Sequence, residues 1–239
     1  MGIQLRIVAI GQARMGSTRL PGKTMIPLLG KPLIQHVIER VQKCSRVDEI
    51  VIATTTNPED DQIERFGKKL GVSVFRGSQR DVLERFCKAA ERHRADHIVR
   101  FTCDDPLIDP ANFDDMIFAQ IRVGADLTYT KDMPWGTGPG NCVISAKSLK
   151  QSCRDSVGKE PRYREHADEY ILDHPEAFKI QALECDPDLK RDYRLTVDTP
   201  EDLRFMTRIY ERLYRGGEIV DLREAVRLLD SDPSFRERG

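Results

Sequence analysis

A loop rich in glycine and cations follows the first hydrophobic run of the sequence. Residues 11–23 read Gly-Gln-Ala-Arg-Met-Gly-Ser-Thr-Arg-Leu-Pro-Gly-Lys, and we call them the basic loop. It carries Arg14, Arg19 and Lys23, and no acidic residue occurs before Glu39. Glycines let backbone N–H groups approach phosphate oxygens, and three cations on one short loop repel one another unless an anion joins them. The basic loop therefore predicts a triphosphate-binding site.

Two alternatives remain open for the basic loop. It could be a solvated turn whose arginines pair with distant acids. It could also be the P-loop of a kinase, in which four residues separate the two glycines before Lys-Ser/Thr. Here five residues separate Gly16 from Gly22, although Lys23-Thr24 follows as it should, and Pro21 removes one of the amide donors that a P-loop needs. A P-loop-like kinase is therefore the weaker reading.

Acidic residues end two other hydrophobic runs. Asp104 and Asp105 follow residues 97–103, and Asp198 follows the run that ends at Val197. Carboxylates at the carboxyl ends of sheet strands suit a hard divalent cation bridging to phosphate oxygens. Held together without a cation, Asp104 and Asp198 should repel, so we expect the pKa of at least one of these two carboxyl groups to rise.

Each acid also has a structural interpretation. Asp109-Pro110 already supplies a cap for the helix after the first pair, which leaves Asp104 and Asp105 available. Asp198 precedes Thr199-Pro200-Glu201-Asp202, a strong helix start, so Asp198 could belong to that cap. Cys103, beside Asp104, could be a nucleophile, but no base is placed near it by the sequence, and packing at a strand end is the simpler reading.

The elements that must position these residues alternate along the chain. Strands are predicted over residues 5–10, 49–54, 72–75 and 97–102, with amphipathic helices between them. Such β-α units predict a Rossmann-like α/β fold, in which a mostly parallel sheet is sandwiched by helices. Open α/β sheets bind their ligands at the carboxyl ends of the strands.

The alternation of predicted strands and helices is less regular after Asp109. We expect strands over 126–130, 178–185 and 193–197, and helices from Pro110, over 164–173, from Pro200 and near Asp221. The Gly/Pro-rich loop at 134–140 is either a binding lid or a plain turn.

Composition limits the classes of function. The 239 residues predict a single domain over 1–239. The 38 basic and 39 acidic residues nearly cancel, so we expect neither nucleic acid nor a membrane as a partner. The absence of a long apolar run or signal pattern predicts a cytoplasmic protein. The six cysteines are too scattered for a zinc site and are expected to be reduced.

Five segments together resemble the spore coat polysaccharide biosynthesis protein F family, which is similar to the cytidylyltransferases that activate 3-deoxy-manno-octulosonic acid and the sialic acids. The resemblance covers about residues 5–210 in colinear order. The segments that carry it are residues 12–23, 76–86, 100–109, 164–166 and 197–203.

The resemblance implies a nucleotide-diphospho-sugar transferase fold, with CTP as donor, Mg²⁺ as cofactor and a homodimer. It also implies that residues 1–239 form a single nucleotidyltransferase domain, in which about 125–190 would contribute acceptor-binding and dimerisation elements. Carried over by position, the triphosphate would be held by residues of the basic loop, namely Ala13, Arg14, Gly16, Ser17, Arg19 and Lys23. Asp104 and Asp198 would hold the metal, and Ser78 and Asp81 would lie near the nucleotide.

Other positions implied by the resemblance concern the base and the acceptor. The octulosonate enzymes carry a glutamine where this chain has Thr102, which would face the base. Arg164, Glu165 and His166 would contact the acceptor. The segment at 135–141 departs from the Gly/Glu pattern of the family.

The predicted reaction is transfer of a cytidylyl group from CTP to a sugar acid or sugar-like acceptor, with release of pyrophosphate. An acceptor oxygen would attack the α-phosphorus in line, and the catalytic residues would be Lys23, Arg14, Asp104 and Asp198. One alternative keeps the fold but makes the protein a glycosyltransferase that consumes a nucleotide sugar. Another makes it a non-catalytic scaffold that retains a nucleotide pocket.

Overall fold

The computed structural model describes residues 5–138 and 140–235. Residues 1–4, 139 and 236–239, which the predicted domain span and the Gly/Pro-rich loop include, lie outside the described residues. The strands are β1 Ile7–Gln12, β2 Pro27–Leu28, β3 Lys31–Pro32, β4 Glu49–Thr55, β5 Ser73–Gly77, β6 His97–Thr102, β7 Leu127–Thr130, β8 Cys142–Ser145 and β9 Ile180–Leu183.

Helices separate most of these strands, and the two longest of those described, Pro110–Val123 and Pro200–Leu213, have 14 residues each. No helix in the described ranges combines the length and the apolar character needed to cross a membrane. The helices are α1 Leu33–Val41, α2 Asp61–Lys69, α3 Val82–Arg92, α4 Pro110–Val123, α5 Ala146–Asp155, α6 Arg162–Glu165, α7 Glu169–Leu172, α8 Pro200–Leu213 and α9 Leu222–Ser231.

Seven strands form one mostly parallel sheet in the order β5-β4-β1-β6-β8-β7-β9. β5, β4, β1 and β6 are parallel neighbours, β8 runs antiparallel to both β6 and β7, and β9 is parallel to β7. The chain moves outward on one side of β1 through β4 and β5, and on the other side through β6. This reversal of strand order places the carboxyl ends of β1 and β6 at a topological switch point, where α/β sheets bind ligands.

The core lies on both faces of the sheet because successive strand residues point to opposite sides. Ala9 and Val99 pack with α1 and α4 on one face, and Val8 and Ile98 pack with α3 and α5 on the other. A third cluster joins α8 and α9 to the loops near the switch point. The helices therefore hold β1 and β6 in fixed register beside each other.

The predicted mostly parallel α/β sheet is confirmed, with strand boundaries that shift by one or two residues in the first half of the chain. The predicted strand at 193–197 is wrong: only Arg194 pairs, through an isolated bridge to Trp135. The predicted helix at 164–173 is two short helices, because His166 adopts an extended backbone between them. β8 and α5 were not expected.

Candidate active site

The three segments that carry the predicted chemistry meet at the switch point. The backbone N–H of Val197 donates to the carbonyl of Asp104 at 2.9 Å, which joins the end of β6 to the segment before α8. Lys23 Nζ donates to a carboxylate oxygen of Asp104 and, at 2.8 Å, to Oδ1 of Asp198. One ammonium group and two carboxylates from distant parts of the chain thus share one site.

Buried hydrogen bonds determine the path of the basic loop. The carboxylate of Asp60, which is buried, accepts from the Met15 N–H at 2.7 Å. The Met15 carbonyl in turn accepts from the N–H of Gly22 at 3.0 Å, and Gly22 adopts φ 70°, which favours glycine. Lys23 then begins a three-residue 3-10 helix, whereas a P-loop lysine lies at the start of a long helix. The kinase alternative loses its structural support.

Three smaller residues of the basic loop, predicted to hold phosphate, have local contacts. Ala13 is buried, and its N–H donates to the carbonyl of Ala53 at 3.3 Å. Ser17 Oγ accepts from the N–H of Leu20 at 3.4 Å. Gly16 is partly exposed, and a Cβ there would lie 3.1 Å from a carboxylate oxygen of Glu59. Their roles toward phosphate stay predictions.

The opposite charges at the site stabilise one another in their ionised forms. Burial alone would lower the pKa of Lys23, but the charges and hydrogen bonds of Asp104 and Asp198 raise it above its ordinary value. Burial would likewise raise the pKa of Asp198, but Lys23, Arg19 and Arg194 lower it. The expected increase in pKa is therefore wrong for Asp198, because Lys23 lies between the two carboxylates.

The cations of the basic loop differ in their partners. Arg19 pairs with Asp198 at 2.8 Å although its side chain is mostly exposed. Arg14 is exposed, and its side chain makes no hydrogen bond or ion pair with the residues that the structure describes. Asp104 and Asp198 thus neutralise Lys23 and Arg19 and relieve the repulsion expected among the three cations of the basic loop. Of the three, only Arg14 has no acidic partner among the described residues.

Asp104 and Asp105 have different environments. Asp105 is only 4% exposed and accepts a hydrogen bond from Thr102 Oγ1 at 2.5 Å. Its burial and the neighbouring charge of Asp104 raise its pKa well above the ordinary value. Asp104 instead faces Lys23. Of these two neighbouring acids, Asp104 is therefore the one that contacts Lys23, and Thr102, predicted to face the base, contacts Asp105.

Cys103 is a buried packing residue. Burial, reinforced by the charges of Asp104 and Asp105, raises its thiol pKa well above the ordinary value, so a thiolate is disfavoured. All six cysteines are free thiols in the structure, as the sequence predicts.

The residues predicted near the nucleotide and near the acceptor are in direct contact. Asp81 caps α3 by accepting from the Glu84 N–H at 2.8 Å, and its own N–H donates to Ser78 Oγ at 3.0 Å. Arg164 Nη2 donates to the Asp81 carboxylate at 2.6 Å. Ser78, Asp81 and Arg164 thus form one connected group beside β5.

The other two predicted acceptor residues are exposed. His166 Nε2 lies 3.6 Å from a carboxylate oxygen of Glu169, and Glu165 is also exposed. Neither side chain lies among the contacts of Lys23, Asp104 or Asp198. Their contact with an acceptor stays a prediction.

Sequence reasoning missed two residues that hold Asp198. Arg194 donates to the second carboxylate oxygen of Asp198. Asp202 Oδ2 accepts from the backbone N–H of Asp198 at 3.1 Å and from that of Thr199 at 3.0 Å. Their spacing in the sequence could have indicated this role, because Arg194 lies four residues before Asp198 and Asp202 lies four residues after it. The capping box of Thr199 and Asp202 therefore also positions Asp198, so its helix-cap and active-site interpretations are compatible.

Comparison with known proteins decides the family. A family model described as Cytidylyltransferase matches residues 8–225. The chain belongs to the cytidylyltransferase family. It is 38% identical to the spore coat polysaccharide biosynthesis protein SpsF of Bacillus subtilis over 236 residues, which cover 95% of each chain. The resemblance inferred from the motifs is confirmed.

Solved structures of cytidylyltransferases share the fold. A cytidylyltransferase from Leptospira borgpetersenii superposes with a TM-score of 0.88 at 29% identity, covering 97% of each chain. A CMP:2-keto-3-deoxy-manno-octonic acid synthetase, solved in complex with CTP, has a TM-score of 0.68 at 18% identity over 87% of this chain and 99% of its own. The predicted nucleotide-diphospho-sugar transferase fold is thereby confirmed, and the chain is a nucleotidyltransferase.

Proposed function

We propose that this cytidylyltransferase transfers the cytidylyl group of CTP to a sugar acid and releases pyrophosphate. The observation that carries the proposal is the contact of Lys23 with both Asp104 and Asp198 at the switch point of the sheet. A site with cations on one loop and carboxylates on two others provides both signs of charge that a metal-bound triphosphate requires.

The residues of the basic loop would stabilise the leaving group. An acceptor oxygen forms a bond to the α-phosphorus, the bond from that phosphorus to the bridging oxygen breaks, and pyrophosphate leaves with the additional negative charge. Arg14, Arg19 and Lys23 would bind that charge, and the exposure of the Arg14 side chain supports this role. Fixed cations of this kind stabilise developing charge without reorganisation. No protein nucleophile is needed.

The donor set fits Mg²⁺. Asp104 and Asp198 both reach one cationic atom, Lys23 Nζ, so their oxygens converge on a single position. Within the described ranges no group of three or more acidic, His or Cys side chains could hold a metal alone. Mg²⁺ commonly uses one or two carboxylates and completes its shell with phosphate oxygens and water. Bound there, it would neutralise charge on the α-phosphate.

Several features of the proposal concern the rest of the chain. Thr102, Ser78 and Asp81 would define the nucleotide side of the site. A single domain would include residues 125–190, which would contribute acceptor-binding elements and the contacts of a cytoplasmic homodimer. Exposed large apolar side chains support a contact role for that segment, among them Trp135, Val157 and Leu172.

A pyrophosphate-release assay tests the function. The protein is incubated with CTP, Mg²⁺ and a panel of sugar acids, sugar phosphates and neutral sugars, and we expect pyrophosphate and a cytidine monophosphate conjugate with a sugar acid. Chelation of the metal should stop the reaction. Release of a nucleoside mono- or diphosphate from a nucleotide sugar would instead indicate a glycosyltransferase, and CTP binding without turnover on the whole panel would indicate a scaffold.

A further inference from the structure

The turn that carries Asp104 is held by side chains that lie outside the carboxylate site. It spans residues 103–109, between the end of β6 and the start of α4. Pro106 in its middle has no N–H, so its carbonyl oxygen is the only backbone group at that position that can form a hydrogen bond. The carbonyls of Pro106 and Ile108 both accept from buried side chains of distant helices.

Tyr210 of α8 holds the first of these carbonyls. Its hydroxyl donates to the Pro106 carbonyl oxygen at 2.7 Å, although the two residues are 104 positions apart in sequence. Tyr210 is only 1% exposed. Burial raises the pKa of its hydroxyl, so the group keeps its proton and remains a donor. The hydroxyl therefore ties α8 to the residue two positions after Asp104.

A buried arginine of α1 holds the second carbonyl. Arg40 is also 1% exposed, and its Nε donates to the carbonyl oxygen of Ile108. Its Nη1 donates to the carbonyl of Val220, and the guanidinium forms a further hydrogen bond with the Tyr210 hydroxyl. Within the described part of the chain no acidic side chain forms an ion pair with Arg40. Its donors are directed at oxygens around the Asp104 turn instead.

The two side chains form one satisfied network. Among the residues that the structure describes, no buried side-chain nitrogen or oxygen of Arg40 or Tyr210 lacks a hydrogen-bond partner. A buried polar network of this kind is rigid, because all of its hydrogen bonds are made only in one arrangement of its groups. Apolar side chains of similar volume would fill the same space without that directional constraint. The network therefore fixes the turn more closely than packing alone would.

The position of this turn matters for the carboxylate of Asp104. The carbonyl of Asp104 accepts from the N–H of Val197 at 2.9 Å, and its carboxylate contacts Lys23. A metal ligand depends on the groups that hold it in place, and the loss of such a group typically lowers metal affinity by about 10- to 100-fold. Tyr210 and Arg40 are related to Asp104 in this way, through its backbone.

We propose that Tyr210 and Arg40 are positioning residues for metal binding, which hold the carboxylate of Asp104 in place through the carbonyls of Pro106 and Ile108. This inference rests on the proposed cytidylyl transfer and its metal site. It adds two residues that contact neither nucleotide nor metal, and it makes α1 and α8 part of the machinery that the metal requires.

The test separates metal-dependent from metal-independent binding of CTP. Calorimetric titrations are made with CTP and excess Mg²⁺, and with CTP and EDTA, on protein that circular dichroism shows to be folded. Only the first affinity depends on Asp104, because metal-free CTP can contact the basic loop but has no metal to share with a carboxylate. A residue that only stabilises the fold would change both affinities or neither.

Tyr210→Phe removes one oxygen atom and keeps the ring. We expect about tenfold weaker binding of CTP with Mg²⁺, and an unchanged affinity for CTP in EDTA. Tyr214→Phe is the matched control, because both tyrosine rings pack edge-on against His36, at 4.9 Å for Tyr210 and 5.5 Å for Tyr214. The Tyr214 hydroxyl interacts with Lys31 instead of the Asp104 turn, so this variant should bind as the wild type in both titrations.

Arg40→Lys provides a second variant. It keeps the positive charge, but a single ammonium group cannot replace the fork that reaches the two carbonyls and the Tyr210 hydroxyl. We expect the same selective loss of affinity for CTP with Mg²⁺. This variant decides the question should Tyr210→Phe not fold.

The outcomes distinguish this inference from the proposed function. Equal losses of affinity with Mg²⁺ and with EDTA, or wild-type affinities in both titrations, would overturn the positioning role. So would equal affinities of the wild-type protein in the two titrations, since Asp104 would then hold no metal. Whether cytidylyl transfer itself stands is decided separately, by pyrophosphate release from the wild-type protein.

Discussion

Lys23 has two tasks at the scale of single residues. Its ammonium group neutralises Asp104 and Asp198 in the structure described here, and it belongs to the loop that we expect to bind triphosphate. Arg14 has only the second task, since it is exposed and forms no ion pair within the described residues. The two cations therefore differ in what their removal should do.

We expect Lys23→Ala to lower both stability and triphosphate binding, whereas Arg14→Ala should lower binding alone. Removing Lys23 leaves two largely buried carboxylates facing each other, which should cost about 3 kcal/mol of unfolding free energy. Arg14→Ala should weaken CTP binding roughly tenfold, because a charge-assisted contact with the triphosphate is lost. Urea unfolding and calorimetry measure the two effects, with exposed Arg65→Ala as control. Unchanged stability in Lys23→Ala would show that its ion pairs contribute nothing.

Substitutions of the neighbouring acids Asp104 and Asp105 should differ in their effect on turnover. Asp105→Asn should retain turnover, and Asp104→Asn should abolish it, because Asp105 is buried against Thr102 while Asp104 faces Lys23. Loss of turnover in Asp105→Asn with normal turnover in Asp104→Asn would reverse the assignment.

The raised pKa of Asp105 adds a pH dependence. The folded protein binds this proton more tightly than the unfolded chain, so wild-type stability falls as pH rises from the unfolded pKa of about 4 through the folded value. Asp105→Asn lacks this proton. Its free energy of unfolding, relative to that of the wild type, should therefore increase as the pH rises from about 4 towards the folded pKa of Asp105. A difference that is constant across this range would contradict the burial effect.

At the scale of elements, the hydrogen bonds that cap α8 also position Asp198 of the candidate active site. Thr199 Oγ1 accepts from the Asp202 N–H at 3.2 Å, and Asp202 returns bonds to the backbone of Thr199 and Asp198. Asp221 caps α9 in a simpler way, by accepting from the Glu224 N–H at 3.0 Å. The second cap has no contact with the active site in these interactions, which makes it a matched control.

We expect Thr199→Ala and Asp221→Ala each to cost about 1 kcal/mol of unfolding free energy, the usual value of a cap. Asp202→Ala should in addition lower turnover about tenfold or more, because Asp198 loses the acceptor that orients its backbone. Denaturation and kinetic measurements on the same samples check this. Equal losses of turnover in Asp202→Ala and Asp221→Ala would mean that only general destabilisation is seen.

The elements that the sequence predicts well are those with a strong local pattern. β1, β4 and β6 are rich in β-branched residues, and Pro110 and Pro200 mark helix starts that the structure retains. β8 was missed because its four residues follow a glycine-rich loop, and its strand state depends on pairing with β6 and β7. Residues 193–197 have strand composition, but they pack on the Trp135 loop instead of entering the sheet.

The candidate site was predicted to a similar extent. Motifs with fixed local spacing identified the basic loop, Asp104 and Asp198. The partners of these residues could not be read from spacing, because Lys23 reaches acids that are far away in sequence.

At the scale of the whole molecule, nucleotide binding should stabilise the fold. CTP with Mg²⁺ should raise the melting temperature more than ATP, GTP or UTP, since any triphosphate can meet the basic loop while only the base discriminates. CTP at 100 times its dissociation constant adds about 2.7 kcal/mol, which corresponds to a shift of roughly 8 °C for a chain of this length. Equal shifts for all four nucleotides in a thermal scan would refute the base preference and leave the phosphate site intact.

The contact between Lys23 and Asp198 spans 175 residues of sequence. A ribosome adds about 5–20 residues per second, so the lysine emerges on the order of 10 to 30 s before its second carboxylate partner. During that interval the nascent chain has the basic loop but lacks the acid that completes its charge balance. Because the contact forms only after most of the chain is made, an incomplete chain lacks the assembled candidate site for nucleotide chemistry. Activity should therefore require both complete synthesis and folding of the chain.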